Sequence, residues 1–157
     1  MKKQGFETRV LHTSYEREDV YGALAMPVYN TAAYEFETAE AMEAAFCGRT
    51  ADHAYSRITN PTVQHFENCI RSVTGALGVT ALNSGMAAIS NALITVAYAG
   101  SNVVTSSHLF GNTYSFLKNT LAAFGVECRC CDLTNMDEVR AQVDEHTCAL
   151  FLEVITN

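Results

Sequence analysis

The run Cys148-Ala149-Leu150-Phe151-Leu152 is apolar at every position. An uninterrupted apolar run is typical of a parallel strand that is covered on both faces, because a strand with one wet face alternates apolar and polar residues. Shorter apolar runs recur along the chain before it. We therefore predict four strands, at Gly78–Leu82, Asn102–Thr105, Val126–Cys131 and Cys148–Val154.

Helical patterns lie between the predicted strands, at Gly85–Tyr98, Gly111–Phe124 and Met136–Asp144. Strands that alternate with helices indicate an α/β fold, in which right-handed crossovers join the strands of a mostly parallel sheet and helices flank it. Thr134 or Asn135 is expected to cap the last of these helices, and Gly125 to end the second.

The first part of the chain has a different pattern. Residues 1–60 have no sustained period apart from a helical pattern at Ala39–Phe46, so we predict an arm that contacts a neighbouring subunit. Residues 61–157 are predicted to be the first, incomplete part of a larger domain. A helix is expected to open at Pro61 with Asn60 as its N-cap, and to end near Gly75.

Composition excludes several classes of partner. The formal net charge of −7 disfavours nucleic acid, which selects basic surfaces. No apolar run is long enough to span a bilayer, and the two lysines near the start are followed by no apolar stretch, so we expect a cytoplasmic protein. The group Cys128, Cys130 and Cys131 lacks the spaced partners of a tetrahedral metal site, and we predict reduced structural thiols and no metal.

Ligands of open parallel sheets bind at the carboxyl ends of strands, so the residues that follow each strand are the candidates for a site. Ser84, Gly85 and Met86 follow the first predicted strand and open a helix. The free N–H groups of such a first turn bind anions, above all phosphate. A capped helix start without a ligand explains the same residues equally well.

Three further segments hold candidate residues. Phe110 follows the second strand, where its ring can stack on a flat ligand or pack in the core; nearby His108 is predicted to be structural. Arg57 offers a planar cation that suits phosphate, and Tyr55 a hydroxyl on the same side of an extended segment, although a surface ion pair accounts for Arg57 as well. Glu153, at the end of an apolar strand, is expected to have a polar partner.

Four segments together resemble one enzyme family: Tyr55–Thr62, Ser84–Ile89, Leu109–Tyr114 and Glu153–Asn157. Their order and spacing are similar to those of the Cys/Met-metabolism enzymes that depend on pyridoxal 5′-phosphate (PLP). The resemblance runs from about Thr8 to Asn157. It implies the fold-type-I, aspartate aminotransferase-like large domain, and a homotetramer of two tight dimers whose active sites are shared across the dimer interface.

The resemblance also implies roles for individual residues. Ser84, Gly85 and Met86 would hold the PLP phosphate, and Tyr55 and Arg57 would reach the phosphate bound by the neighbouring subunit. Phe110 matches the aromatic residue that stacks on the pyridine ring, where the family usually has tyrosine. Asn157 matches an asparagine near the ring hydroxyl.

The lysine that binds the cofactor covalently has no counterpart among Lys2, Lys3 and Lys118, so no catalytic residue is assigned. We expect the 157 residues to be inactive alone, as a truncated or split version of a chain more than twice as long.

The resemblance is strongest to O-acetylhomoserine sulfhydrylase, a transferase of methionine biosynthesis. It implies γ-replacement on O-acetyl-L-homoserine with a sulfur nucleophile, which gives homocysteine. Cystathionine γ-synthase and methionine γ-lyase remain alternatives, although lyases often have cysteine where Asn112 stands here. The alternative of another class is a catalytically inert fragment. A nicotinamide dehydrogenase is disfavoured because no glycine-rich fingerprint follows the first predicted strand.

Overall fold

Three parallel strands form a sheet in the C-terminal half of the protein, as a computed structural model shows. The structure describes residues 4–13 and 21–155, and these divide into two compact units, one up to Ala81 and one from Leu82 onward. The sheet belongs to the second unit. The α/β class with a parallel sheet and flanking helices is therefore confirmed.

The second unit follows the predicted alternation of helix and strand. Its order is α4 (Gly85–Val96), β1 (Asn102–Thr105), α5 (Gly111–Ser115), a π-helix (Phe116–Leu121), β2 (Glu127–Cys130), α6 (Met136–Gln142) and β3 (Thr147–Phe151). The strand order is β2-β1-β3, and Val103 at the centre of β1 is opposite Cys128 in β2 and Ala149 in β3. Every residue of β1 is buried. The core cluster around it consists of Leu93, Val103, Leu109, Leu117, Leu121 and Val126.

The first unit contains three helices, α1 (Phe6–His12), α2 (Ala39–Phe46) and α3 (Pro61–Thr74). Helix α1 packs against α3, and the Arg9 guanidinium donates a hydrogen bond to the Ser72 carbonyl in the last turn of α3. The sequence did not predict α1, because seven residues without a side-chain N-cap give too short a periodic signal. The role of residues 1–60 as an arm on a neighbouring subunit stays a prediction.

The predicted helix starts are confirmed, and so is the end of α3, whereas α4 and α6 each end two residues before the predicted end. The Asn60 side chain caps α3 with Pro61 in the first turn, and Gly75 ends this helix with a φ of 75°. Ser84 caps α4, and Asn135 rather than Thr134 caps α6. Each of these side chains accepts N–H groups of the first turn, which have no acceptor within the helix.

Two predicted elements differ from the structure. Residues 78–82 form no strand, because no described segment pairs with their backbone, and the Ala81 N–H instead donates to the Glu67 carboxylate at 2.7 Å. The helix predicted at Gly111–Phe124 changes to a π-helix after Ser115. This widened turn keeps Leu117 and Leu121 in the core. Among the described helices, none has the length and apolar character that a membrane span needs.

Candidate functional site

The start of α4 presents free backbone donors. The Ser84 hydroxyl accepts the Ala87 N–H at 3.1 Å, and the Ser84 carbonyl accepts the Ala88 N–H at 3.0 Å. The N–H groups of Gly85 and Met86 have no acceptor among the described residues. A Cβ added at Gly85 would meet no atom within 4 Å, so a ligand can approach this turn closely. This arrangement is suited to binding an anion.

Phe110 lies beyond the carboxyl end of β1, immediately before α5. Its side chain is exposed, at 56% of its full accessible surface, and therefore does not belong to the core. Its N–H donates to the Glu153 carboxylate at 2.9 Å, which fixes the backbone at this point and provides the partner that Glu153 was expected to have. Since Glu153 follows β3, this bond joins the carboxyl ends of two neighbouring strands.

A buried threonine connects α4 to the segment that follows Phe110. The Thr113 hydroxyl in α5 contacts the Met86 sulfur at 3.8 Å, and Thr113 is almost fully buried. The start of α4 and the helix after Phe110 are therefore adjacent. Thr113 was not among the residues predicted from the sequence, where its only signal is its place three residues after Phe110.

Tyr55 and Arg57 lie together in the first unit, but on a turn rather than the extended segment that was predicted. The Tyr55 carbonyl accepts the N–H groups of Ile58 at 2.8 Å and Thr59 at 3.0 Å, and this closes the turn. The Arg57 guanidinium carbon stands 5.0 Å from the centre of the Tyr55 ring, a cation–π contact. Arg57 also lines a pocket of about 260 Å³ with Asn60 and Glu67. The described structure gives Arg57 no ion pair, so the surface salt bridge considered above is not formed.

Other polar residues of the second unit have structural contacts. The Lys118 ammonium donates to the Cys128 carbonyl at 2.8 Å, and the backbone N–H of His108 donates to the Ser106 hydroxyl at 3.0 Å. The sulfur atoms of Cys128 and Cys130 are 4.0 Å apart on one face of β2. Burial, with the neighbouring Cys130 thiol, raises the pKa of Cys128 to about 11. Within residues 4–13 and 21–155, no group of three side chains is placed to hold a metal ion.

The second unit has features that suit the phosphate and the ring of PLP. The free N–H groups of Gly85 and Met86 suit a phosphate, the open space at Gly85 admits it, and the exposed Phe110 ring offers a flat face to a pyridine ring. Asn157, which the resemblance assigns to the ring hydroxyl, lies outside the described residues. The roles of all these residues stay predictions at this point.

Comparison with known proteins identifies the family of the chain. The family described as Cys/Met metabolism PLP-dependent enzyme matches residues 7–157. L-Methionine gamma-lyase of Pseudomonas putida is 38% identical over 99% of this chain and 39% of its own length. O-Acetylhomoserine sulfhydrylase of Wolinella succinogenes is 50% identical, with a TM-score of 0.61, over 63% of this chain and 28% of that chain.

A further solved structure matches nearly the whole chain. A Campylobacter jejuni crystal structure assigned as an O-acetylhomoserine (thiol)-lyase has a TM-score of 0.91 and 33% identity, covers 99% of this chain and 38% of that chain, and contains an N′-pyridoxyl-lysine-5′-monophosphate. The present chain thus spans about two fifths of the length of such relatives. With a family match over nearly all its residues, the chain belongs to the PLP-dependent enzymes of Cys/Met metabolism.

Proposed function

We propose that the full-length protein to which these residues belong catalyses γ-replacement on O-acetyl-L-homoserine. Acetate leaves the γ-carbon, a sulfur nucleophile such as sulfide takes its place, and homocysteine is formed. The observation that carries this proposal is the Gly85–Met86 turn, which contacts the helix that follows the exposed Phe110. The chain that contains it is 50% identical to a sulfhydrylase over 63% of its residues.

The described residues have distinct tasks in this proposal. The N–H groups of Gly85 and Met86, with Ser84 as the cap of the turn, bind the PLP phosphate, and the Phe110 ring stacks on the pyridine ring. PLP, when bound, supplies an electron sink for negative charge on the substrate carbon. Phe110 has no hydroxyl, so it orients the ring but cannot hold or move a proton. Asn157 is assigned to the ring hydroxyl by resemblance alone.

We further propose that the active enzyme is a homotetramer of two tight dimers, in which Tyr55 and Arg57 of one subunit bind the phosphate held by the next. Complementation tests this arrangement. Arg57→Ala and Phe110→Ala chains are each expected to lose activity, whereas co-expressed chains form mixed dimers with one intact site. A shared site would be contradicted if the mixed dimers were no more active than the Arg57→Ala and Phe110→Ala proteins.

Methionine γ-lyase is the second candidate, since the Pseudomonas putida enzyme is 38% identical over 99% of the chain. Asn112, exposed in α5, favours the sulfhydrylase because lyases often have cysteine there. Cystathionine γ-synthase is the third. Three assays of the full-length protein separate them: homocysteine from O-acetylhomoserine and sulfide, cystathionine from O-acetylhomoserine and cysteine, and methanethiol from methionine. We expect the first reaction to be the fastest, and dominant methanethiol release would overturn the proposal.

We also propose that the 157 residues are inactive without the remainder of the protein. Lys118 is the only lysine in the described ranges, and its ammonium is bound to the Cys128 carbonyl on the flank of β2. No lysine of the chain matches the one that binds PLP in the family.

A further inference from the structure

Asn60 is a buried polar residue next to the turn that carries Tyr55 and Arg57. It is 7% exposed, and both ends of its side-chain amide are used. The oxygen accepts the N–H groups of Thr62 at 2.9 Å and Val63 at 3.4 Å, which caps α3. A cap needs only this oxygen, and serine or aspartate supplies one equally well. The cap therefore leaves the amide nitrogen unexplained.

The Asn60 nitrogen makes its contacts in the opposite direction. It donates to the Tyr29 carbonyl at 2.9 Å, to the Ser56 hydroxyl at 2.9 Å and to the Tyr34 hydroxyl at 3.1 Å. These acceptors belong to the 29–34 segment and to the 55–59 turn. One side chain thus joins the start of α3 to both segments.

Ser56 passes this connection to the residues on either side of it. Its hydroxyl donates to the Thr31 carbonyl, and its backbone N–H donates to the Ala32 carbonyl at 2.9 Å. Tyr55 forms an antiparallel bridge with Ala33. Ser56 stands between Tyr55 and Arg57, so its fixed position determines where the backbone of both residues lies.

We infer that Asn60 is a positioning residue for the phosphate-binding pair Tyr55 and Arg57, acting through its amide N–H groups and Ser56. The inference rests on the proposed phosphate role of that pair. A phosphate contact needs its donors within a few tenths of an ångström of their best distance. Arg57 is exposed and long, so a fixed turn reduces the entropy it loses when it binds.

The experiment compares the affinities of PLP and of pyridoxal, which lacks the phosphate, for apoenzyme made from the full-length protein. The main variant is Asn60→Ser, which keeps a capping oxygen, adds no charge near Arg57 and removes the amide donors. We expect it to bind PLP about tenfold more weakly, while its affinity for pyridoxal stays within about twofold of the wild type. Arg57→Ala should show the same selectivity, and the double variant should lose little beyond Arg57→Ala alone.

Two further variants complete the design. Ser56→Ala keeps the Asn60 cap intact, so it carries the test if Asn60→Ser fails to fold, and we expect the same selective loss. Asn135→Ser changes the equivalent cap of α6, whose amide donates to Glu138 instead, and should leave both affinities unchanged.

Two outcomes overturn the inference. Equal losses of PLP and pyridoxal in Asn60→Ser and Ser56→Ala, with a selective loss in Arg57→Ala, would make Asn60 merely structural and leave the phosphate role of Arg57 standing. Unchanged PLP affinity in Arg57→Ala would overturn that role and the inference together.

Discussion

At the residue scale, Phe110 shows how a fixed backbone and an exposed side chain are combined. Its N–H is held by Glu153, while its ring has no place in the core. A single exposed aromatic residue is common on protein surfaces and needs no special explanation. Here the ring stands beyond the carboxyl end of a buried parallel strand, where ligands of such sheets bind.

Phe110→Ala is expected to weaken PLP binding by the full-length protein about tenfold, because a stacked aromatic pair contributes about 0.5–1.5 kcal/mol beyond its buried area. Phe110→Tyr keeps the ring and should bind PLP as the wild type does. Titration of the apoenzyme with PLP measures both. Phe124→Ala is the matched control, since Phe124 is exposed in the same unit and has no proposed role. Unchanged affinity in Phe110→Ala would contradict stacking.

At the element scale, one carboxylate joins the amino ends of the three strands. Asp144, just before β3, accepts from the Arg129 guanidinium of β2 at 2.7 Å and from the Asn102 amide of β1 at 2.8 Å. These bonds, the one from Arg129 first, hold the pKa of Asp144 well below its ordinary value. The carboxylate is partly exposed, so solvent weakens the ion pair.

This depressed pKa predicts a pH dependence of stability. The stabilisation is complete above the unfolded-state pKa of about 4 and is lost as the pH falls toward the lower folded-state pKa. The free energy of unfolding should therefore fall from pH 5 to pH 3, and Asp144→Asn should fall less steeply. Urea unfolding at several pH values measures the slopes. Asp137→Asn, at a highly exposed carboxylate of α6, is the control and should keep the wild-type slope. Equal slopes in all three proteins would show that Asp144 does not cause this pH dependence.

The π-helix is also important at the element scale. It contains two residues of the core. Leu117 is 1% exposed and packs in the cluster around Val103. Leu117→Ala should lower the free energy of unfolding by about 2–5 kcal/mol, from lost burial and the cavity that remains. Leu152→Ala, at a residue 50% exposed, is the matched control and should change it far less. Similar free energies of unfolding for the two variants would show that the π-helix is not part of the core.

The sequence predicted those elements whose ends have their own chemical signals. Asn60 with Pro61, Ser84 and Asn135 identify helix starts because each supplies a local hydrogen bond. The strand expected at 78–82 failed because a strand depends on a neighbour, and pairing is not encoded in the strand's own residues. The π-helix depends on tertiary packing, for which a helical period gives no sign.

The residues of the candidate site were chosen because they follow apolar runs, and their roles stay predictions. Ser84 and Phe110 are both exposed, which excludes the core position considered for Phe110, but the strand expected before Ser84 is absent. The turn at Tyr55 and Arg57 was missed. The Tyr55 carbonyl closes it locally, but contacts with the distant 29–34 segment hold it in place, and the sequence gives no sign of those contacts. The hydrogen bonds that the Asn60 nitrogen donates were missed for the same reason.

At the scale of the whole molecule, the proposed phosphate-binding turn and stacking ring lie in one unit, and the proposed phosphate-binding pair lies in the other. Its relatives are about two and a half times as long, since it spans 39% of the Pseudomonas putida enzyme. The proposed reaction also needs a lysine bound to the cofactor. The family resemblance assigns this role to none of the three lysines here.

This absence predicts a difference between the 157-residue chain and the full-length protein. After incubation with PLP, the full-length protein should turn yellow, and borohydride should fix one pyridoxyl group on a lysine beyond residue 157. The 157-residue chain should give neither the colour nor a stoichiometric adduct, because its one described lysine donates to a backbone carbonyl. Peptide mass mapping locates the adduct, and Lys118→Met in the full-length protein is the control that should leave it unchanged. A stoichiometric adduct on Lys118, lost in Lys118→Met, would show that these residues hold the cofactor covalently by themselves.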